Sequence, residues 1–325
     1  MTGPLAVEQI DRLVAENRRS PDAEIERRLM QVRHAAYADM APASAFEQWP
    51  PTPAAGSGFE SLIPTTTAAH LDVALLRRSI AARGCLRVDG LLAPDLVEKL
   101  VAGIDLAFEV LAAGPDSPLR ATTGLYSPLP LTGPETRSLG RHWIHGAGGL
   151  LTADSPTLCF QVLEAYDALG LRELAAEYFG ERPILSANKC TLRRVPLTAG
   201  SDWHQDGAFL GSGIRALNIW VALTDCGVDA PGLDVVPRRF GSVVETGTKG
   251  AIFDWAVGPG VVEEVTADAP VQRPSFRAGD ALVFDDLFLH RTAVDTATMT
   301  HPRYAIETWC FARTGYPSGQ VPFVW

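Results

Sequence analysis

The chain is short of lysine. Only Lys99, Lys189 and Lys249 occur in 325 residues, and arginine carries the rest of the positive charge. Lysine and arginine number 28 against 38 acids, a formal net charge of −10. That balance argues against nucleic acid as a partner, because phosphate binding needs a concentrated basic surface. A local basic pocket can still exist on an acidic protein, so small anions stay open. No CxxC pair occurs, and the five cysteines (Cys85, Cys159, Cys190, Cys226 and Cys310) are isolated and odd in number. This argues against a disulfide framework or a zinc ribbon and reads as small reduced core residues. No apolar run is long enough to cross a bilayer. The start MTGPLAVEQIDRLVAENRR lacks a basic segment followed by an apolar one, so no signal peptide is read. The expectation is a soluble cytoplasmic protein with no membrane partner. A composition of 46% hydrophobic and 20% charged residues is ordinary for a globular enzyme.

What is there divides into regions. Residues 5 to about 40 read as helical, with Ser20 as an N-cap and Pro21 at the first helical position. APASAFEQWPPTPAAGSG, rich in Pro, Ala and Gly, reads as a linker or extended arm. The expected organisation is a helical extension and linker over 1–60 and a single domain over 61–325. Within it, 68–180 reads as mainly helical support, including AAHLDVALLRRSIAARG, APDLVEKLVAGIDLAFEVLAAG and SPTLCFQVLEAYDALGLRELAAEYFG. The last reads as one long stretch capped by Ser155, and CLRVDGLL reads as a short strand and turn. After Pro183 short β-rich runs follow one another: ILSANKCTLRRV, RALNIWVALTDC, LDVVPRRF, GDALVFDDLFLH and RYAIETWCFAR. No helices alternate with them. A sandwich or barrel is therefore expected over 183–313, the jelly roll among the candidates, making the chain mainly β with added helices.

Two histidine–acid pairs share one spacing, His70 with Asp72 and His204 with Asp206. On a strand, side chains at i and i+2 point to one face and can grip one ion. On a helix they diverge. His70 and Asp72 open a predicted helix, where Asp72 is explained as a charge favouring the helix N-terminus. His204 and Asp206 lie in the β-rich half, in SDWHQDGAFL. His290, at the end of the apolar run GDALVFDDLFLH, offers a third ligand. Two histidines and one carboxylate with open positions suit a non-haem Fe(II) oxygenase.

WHQDGAF, IWVALTD, GLDVVP, FRAGDALVFDDLFLHRT and an arginine opening the last strand, in that order, resemble the phytanoyl-CoA dioxygenase family. The likeness covers roughly residues 84–313 and begins at RGCLRVDGLLAPDLVEKL. It implies a cupin-like double-stranded β-helix and a dioxygenase dependent on Fe(II), 2-oxoglutarate and O2. It further implies His204, Asp206 and His290 as metal ligands and Arg303 as the residue that holds the far carboxylate of 2-oxoglutarate. A guanidinium suits that task, since it forks onto a carboxylate with two charge-assisted hydrogen bonds. Thr292, Trp220 and Asn218 match cosubstrate contacts. Lys189 to Arg194 occupies a strand that contributes a polar or basic one, with Lys189 and Arg193 as candidates. Asp206 is a carboxylate where halogenating relatives have a small residue, so the implied reaction is hydroxylation of an unactivated C–H bond, with succinate and carbon dioxide as coproducts. Desaturation and ring closure use the same ligands.

The chain departs from the family pattern at Arg238 and Arg239, where small residues are usual. It also departs in the long insert VVETGTKGAIFDWAVGPGVVEEVTADAPVQ, which reads as a lid. The substrate is expected to be a small molecule; Arg238 and the arginines of TLRRV favour an anionic one, and a carrier-bound one is equally open. Two other classes stand beside this expectation. One is a His/Asp/His metal-dependent hydrolase or lyase acting through metal-bound water, and the other is an inactive jelly-roll binding protein. His142 and His145, in RHWIHGAGGL, are loop histidines that could touch substrate.

Overall fold

The computed structural model describes residues 3–43, 49–50, 58–131, 139–267 and 269–325. Most of the expected linker, 44–48 and 51–57, lies outside them. Two helices open the chain, α1 (Gly3–Arg19) and α2 (Ala23–Ala36). The cap of α2 is Asp22, whose carboxylate accepts from the amides of Glu24 and Ile25. Ser20 and Pro21 therefore precede the helix instead of starting it. An acid with extended backbone is the stronger cap because it answers two orphan amides at once. Helix α3 (Val73–Arg83) starts on Asp72, which accepts from Leu75 N, and stops at Gly84 with φ +77°. Asp72 is thus a cap, as its place at a helix start implied. Helix α4 (Pro94–Ala112) follows the strand Cys85–Asp89. The stretch read as one long helix is two, Pro156–Ala168 and Leu171–Phe179, parted at Gly170 with φ +71°. Ser155 makes no capping bond there; its hydroxyl donates to Leu125 O.

The main sheet has nine strands: β1 (Thr65–Thr67), β2 (Cys85–Asp89), β3 (Gly149–Leu151), β4 (Ile184–Ser186), β5 (Thr191–Val195), β6 (Ala216–Ala222), β8 (Ala281–Phe284), β10 (Arg303–Phe311) and β11 (Pro322–Val324). Its path runs β1-β2-β8-β6-β10-β4-β11, with β5 also on β10 and β3 on β5. The second sheet pairs β7 (Gly232–Val235) with β9 (His290–Ala293). From β6 to β10 the chain alternates between the two sheets strand by strand. That alternation makes a double-stranded β-helix, the jelly-roll core. Strands β1, β3 and β11 lie outside the region read as β. Each has three residues, too few for period-2 patterning to register.

Strand β10 shows how the layers work. Its even positions face the helices: Tyr304 donates to Asp105 on α4, and Thr308 to Tyr166. Its odd positions, Arg303, Glu307 and Trp309, face the other sheet. Arg33 of α2 donates to Val324 O on β11 at 2.9 Å. The insert folds on its own apolar cluster, in which Val257, Val261 and Val262 meet Trp203, Val236 and Leu289. Among the described residues no helix is long and apolar enough to cross a membrane.

Candidate metal centre

His204 and His290 face each other across a single antiparallel bridge, closed by His204 N to His290 O at 3.0 Å and the reverse bond at 3.1 Å. Directly opposed residues project from one face of a bridge, so the two rings lie 4.5 Å apart. Each ring's Nδ1 meets a carbonyl two residues back, Asp202 O at 2.8 Å and Phe288 O at 2.9 Å. A carbonyl only accepts, so each ring keeps its proton at Nδ1 and offers the Nε2 lone pair.

Asp206 arrives differently from the expectation. It shares no strand with His204. The chain leaves the bridge and turns helical at Asp206 (φ −60°, ψ −27°), ahead of the short helix Gly207–Leu210. Buried Gln205 locks this turn, donating to Leu287 O at 2.6 Å and accepting from Val244 N at 2.7 Å. A side chain at Gly207 would begin 2.9 Å from Asp286 Oδ2 and 3.1 Å from Val243 Cγ2, so glycine lets these neighbours pack close to the turn. His290 likewise opens β9 instead of ending β8, after the turn through Asp285 and Phe288.

The outcome is one cluster. Ligand atoms of His204, Asp206 and His290 all lie within 4.8 Å of one another. Lys189 Nζ reaches Asp206 Oδ1 at 2.6 Å, leaving Oδ2 3.8 Å from His290 Nε2. Burial would raise the Asp206 carboxyl, but Lys189 and the two histidines outweigh it and hold it below the usual carboxylate range. Burial, then His204, pushes the His290 imidazole down to about 4. Near neutral pH the cluster therefore offers a carboxylate and a neutral His290 imidazole, a donor set that fits Fe(II).

Arg303 is fully buried in the barrel. Its Nη1 donates to Gly232 O at 2.9 Å, while Nε and Nη2 have no partner. Burial lowers it to about 10, so it stays cationic. Two free donors on one fixed guanidinium are what a carboxylate needs, and they fit the distal end of 2-oxoglutarate. Trp220 lies under it, ring to Cζ 5.4 Å. Trp220 Nε1 and Asn218 Oδ1 are likewise buried without partners. Thr292 and Arg193 line a cavity of about 590 Å³ with Trp143, Phe253, Trp255 and Arg291; Trp255 meets the His204 ring edge-on at 6.0 Å.

Other expected residues sit elsewhere. Arg194 pairs with Asp105 at 3.0 Å. Arg238 stacks over Phe240 and bonds Val265 O, and Arg239 is committed to Asp285. None of the three lines this cavity. Neither this cavity nor a larger one of about 800 Å³, between Arg87, Asp225 and Asp280, is lined by the His204/Asp206/His290 trio itself; the smaller one meets it through Trp255.

Sequence reasoning passed over Glu307 and Asp234. Glu307 accepts from Thr191 at 2.9 Å. Burial would raise its carboxyl, but Arg193, Thr191 and Lys189 hold it down. Asp234 holds Arg273 at 2.7 Å and Arg291 at 2.8 Å. Strand alternation could have turned Glu307 inward, but its partners depend on the β10–β5 register.

A family model described as Phytanoyl-CoA dioxygenase (PhyH) matches residues 81–297. No curated protein matches the chain. Among solved structures, AviO1 from Streptomyces viridochromogenes Tue57 is similar at 22% identity, with 74% of this chain and 95% of that chain covered and a TM-score of 0.44. The non-heme alpha ketoglutarate dependent carbocyclase SnoK from nogalamycin biosynthesis is similar at 15% identity, covering 78% and 87%, with a TM-score of 0.49. EctD from S. alaskensis, solved with 2-oxoglutarate and 5-hydroxyectoine, is similar at 17% identity, covering 74% and 76%, with a TM-score of 0.48. None of these three likenesses bears on where a residue sits in this chain.

Proposed function

The chain belongs to the phytanoyl-CoA dioxygenase family, and from that premise we propose that it hydroxylates an unactivated C–H bond of a small molecule, using Fe(II), 2-oxoglutarate and O2. In this reading His204, Asp206 and His290 hold the iron and Arg303 the far carboxylate of 2-oxoglutarate. The observation that supports it most is the pairing of two features: a compact His/Asp/His cluster and, in the same barrel, a buried arginine with two unused donors. A hydrolytic metal site would leave those donors without purpose. Residues 61–325 are assigned as the oxygenase unit and 1–60 as an extension that braces β11.

When bound, iron and 2-oxoglutarate supply the oxidising equivalents: 2-oxoglutarate becomes succinate and carbon dioxide, taking one atom of O2, and the substrate takes the other. The protein's residues do the positioning. Asp202 O and Phe288 O fix the two imidazoles, and Lys189 fixes one oxygen of Asp206 so that the other faces the histidines. Arg303, held by Gly232 O, orients the cosubstrate. Trp220 and Phe276, with rings 4.9 Å apart, wall the guanidinium from water, which strengthens its grip.

The test is an anaerobic titration of metal-free protein with Fe(II) and then 2-oxoglutarate, following the weak visible charge-transfer band of the chelate. The band should form in wild type and be lost in His204→Ala. Iron bound with no band would mean another metal chemistry.

A further inference from the structure

The cavity that meets the trio through Trp255 combines features that the metal ligands and Arg303 do not use. Arg193 reaches it from β5, and its Nε is buried without a partner. Its Nη2 reaches Ala147 O only at 3.4 Å. Among the described residues no carboxylate comes within ion-pair distance of it; the nearby buried Glu307 feels its charge but gives its Oε2 to Thr191. Its cross-strand partner on β3 is Gly149, where a side chain would begin 3.2 Å from Arg193 Cδ. The small residue leaves the arginine its room. Arg303 already presents a complete fork for the cosubstrate, so the cosubstrate has no need of a second guanidinium.

The rest of the cavity wall is mixed: Asp202, Ser201 and Thr292 line it with Arg273 and Arg291, both already paired with Asp234, and an aromatic and apolar rim faces them. Trp143 is 71% and Ile252 74% exposed, and Phe253 stacks on Trp255 with planes 5° apart. Large apolar side chains left in water at the rim of one cavity mark a binding surface. On a chain of net charge −10, a cavity lined by Arg193, Arg273 and Arg291 against the single carboxylate of Asp202 is a local exception. Arg193, in no close ion pair among the described residues and sharing its charge with buried Glu307, is the cation left to select for negative charge.

We propose that the substrate is a small molecule with a flat apolar body and a carboxylate, the carboxylate held by Arg193 and the body by Trp143, Phe253 and Trp255. This rests on the oxygenase reading above for its placement beside the iron. The proposal makes Arg193 a substrate contact and the insert carrying Phe253 and Trp255 a specificity wall.

The test uses protein loaded anaerobically with Fe(II) and 2-oxoglutarate, and titrates it calorimetrically with 2-naphthoate and with its neutral counterpart 2-naphthamide. Wild type should bind the acid at least about tenfold tighter, as one charge-assisted contact implies. Arg193→Gln should erase that preference and leave half-saturation by 2-oxoglutarate, read from the visible band, within about twofold. Arg193→Lys should keep part of the preference, which excludes simple misfolding. Trp143→Ala should weaken both probes alike. Equal binding of the two probes by wild type, or binding of neither, overturns the proposal. So does a weakened 2-oxoglutarate response in Arg193→Gln, since it would make Arg193 a cosubstrate ligand. If the band never forms while the preference persists, the oxygenase reading fails and this one stands.

Discussion

Replacing Arg303 with methionine separates function from stability in a way the structure makes quantitative. Nε and Nη2 have no protein partner, so the folded protein loses nothing when they go. The Nη1 bonds to Gly232 O and Pro231 O are lost with the contact to the Trp220 ring, but a carbonyl keeps a second lone pair for other donors and methionine still packs on the ring. Against that loss stands the cost of burying a cation, visible in the fall of its pKa to about 10. Methionine fills most of the space without that cost, so unfolding free energy should change by less than about 1 kcal/mol in either direction. The cosubstrate loses far more. Truncating one partner of a buried, hydrogen-bonded charge pair costs about 2–5 kcal/mol, so half-saturation by 2-oxoglutarate should rise by roughly one and a half to three and a half decades. Anaerobic titration of the visible band measures the second quantity and urea denaturation the first. A half-saturation within threefold of wild type would refute the assignment. A large loss of stability with cosubstrate binding intact would make Arg303 a structural residue.

Three further outcomes are expected. Lys189→Met removes the cation that orients Asp206, and iron affinity, measured by chelator competition, should fall about 10- to 100-fold, as for other groups that support a ligand from behind. Asp234 is held below the usual carboxylate range: burial would raise it, but hydrogen bonds from Arg273 and Arg291 prevail. A depressed folded pKa adds stability above the unfolded carboxylate pKa and loses it as pH falls through the folded value. Asp234→Asn should therefore cost about 2–3 kcal/mol at neutral pH, discounted because both arginines are partly exposed, and should flatten the acid limb of a melting-temperature series. Gly148 has φ +70°, and a side chain there would begin 2.4 Å from Arg194 O. Gly148→Ala should cost more than the roughly 1–2 kcal/mol of the left-handed backbone alone, read as a shift in denaturation midpoint.

Much of the fold was legible because the β-rich runs of β5, β6, β8 and β10, separated by Gly, Pro and Asp turns, are dense enough in apolar residues to show. The second sheet was harder. His204 joins it by one bridge, and a single bridge has no period. Asp206 reaches the histidines through a helical turn that Gln205 and Gly207 enforce, and spacing alone suggested a strand face instead. The helix break at Gly170 was hidden because leucine on both sides keeps the apolar period running. Trp220, Asn218 and Thr292 were picked out by motif, and the fold places them toward the barrel interior or its cavity. Arg194 and Arg238 were favoured for anion binding by charge alone, yet Arg194 pairs with Asp105 and Arg238 bonds Val265 O. What a charged residue does here follows from which strand it is paired with, and register is a long-range property. Arg193 and Arg194 are neighbours in sequence with opposite fates for that reason.

The central claim is that O2 is split between 2-oxoglutarate and a substrate at the His204/Asp206/His290 cluster. Turnover of the iron-loaded protein under 18O2, with succinate analysed by mass spectrometry, tests it most directly. One labelled oxygen per succinate in wild type and no succinate from Asp206→Ala is the predicted result. Unlabelled succinate, or labelled succinate formed equally by Asp206→Ala, would contradict it.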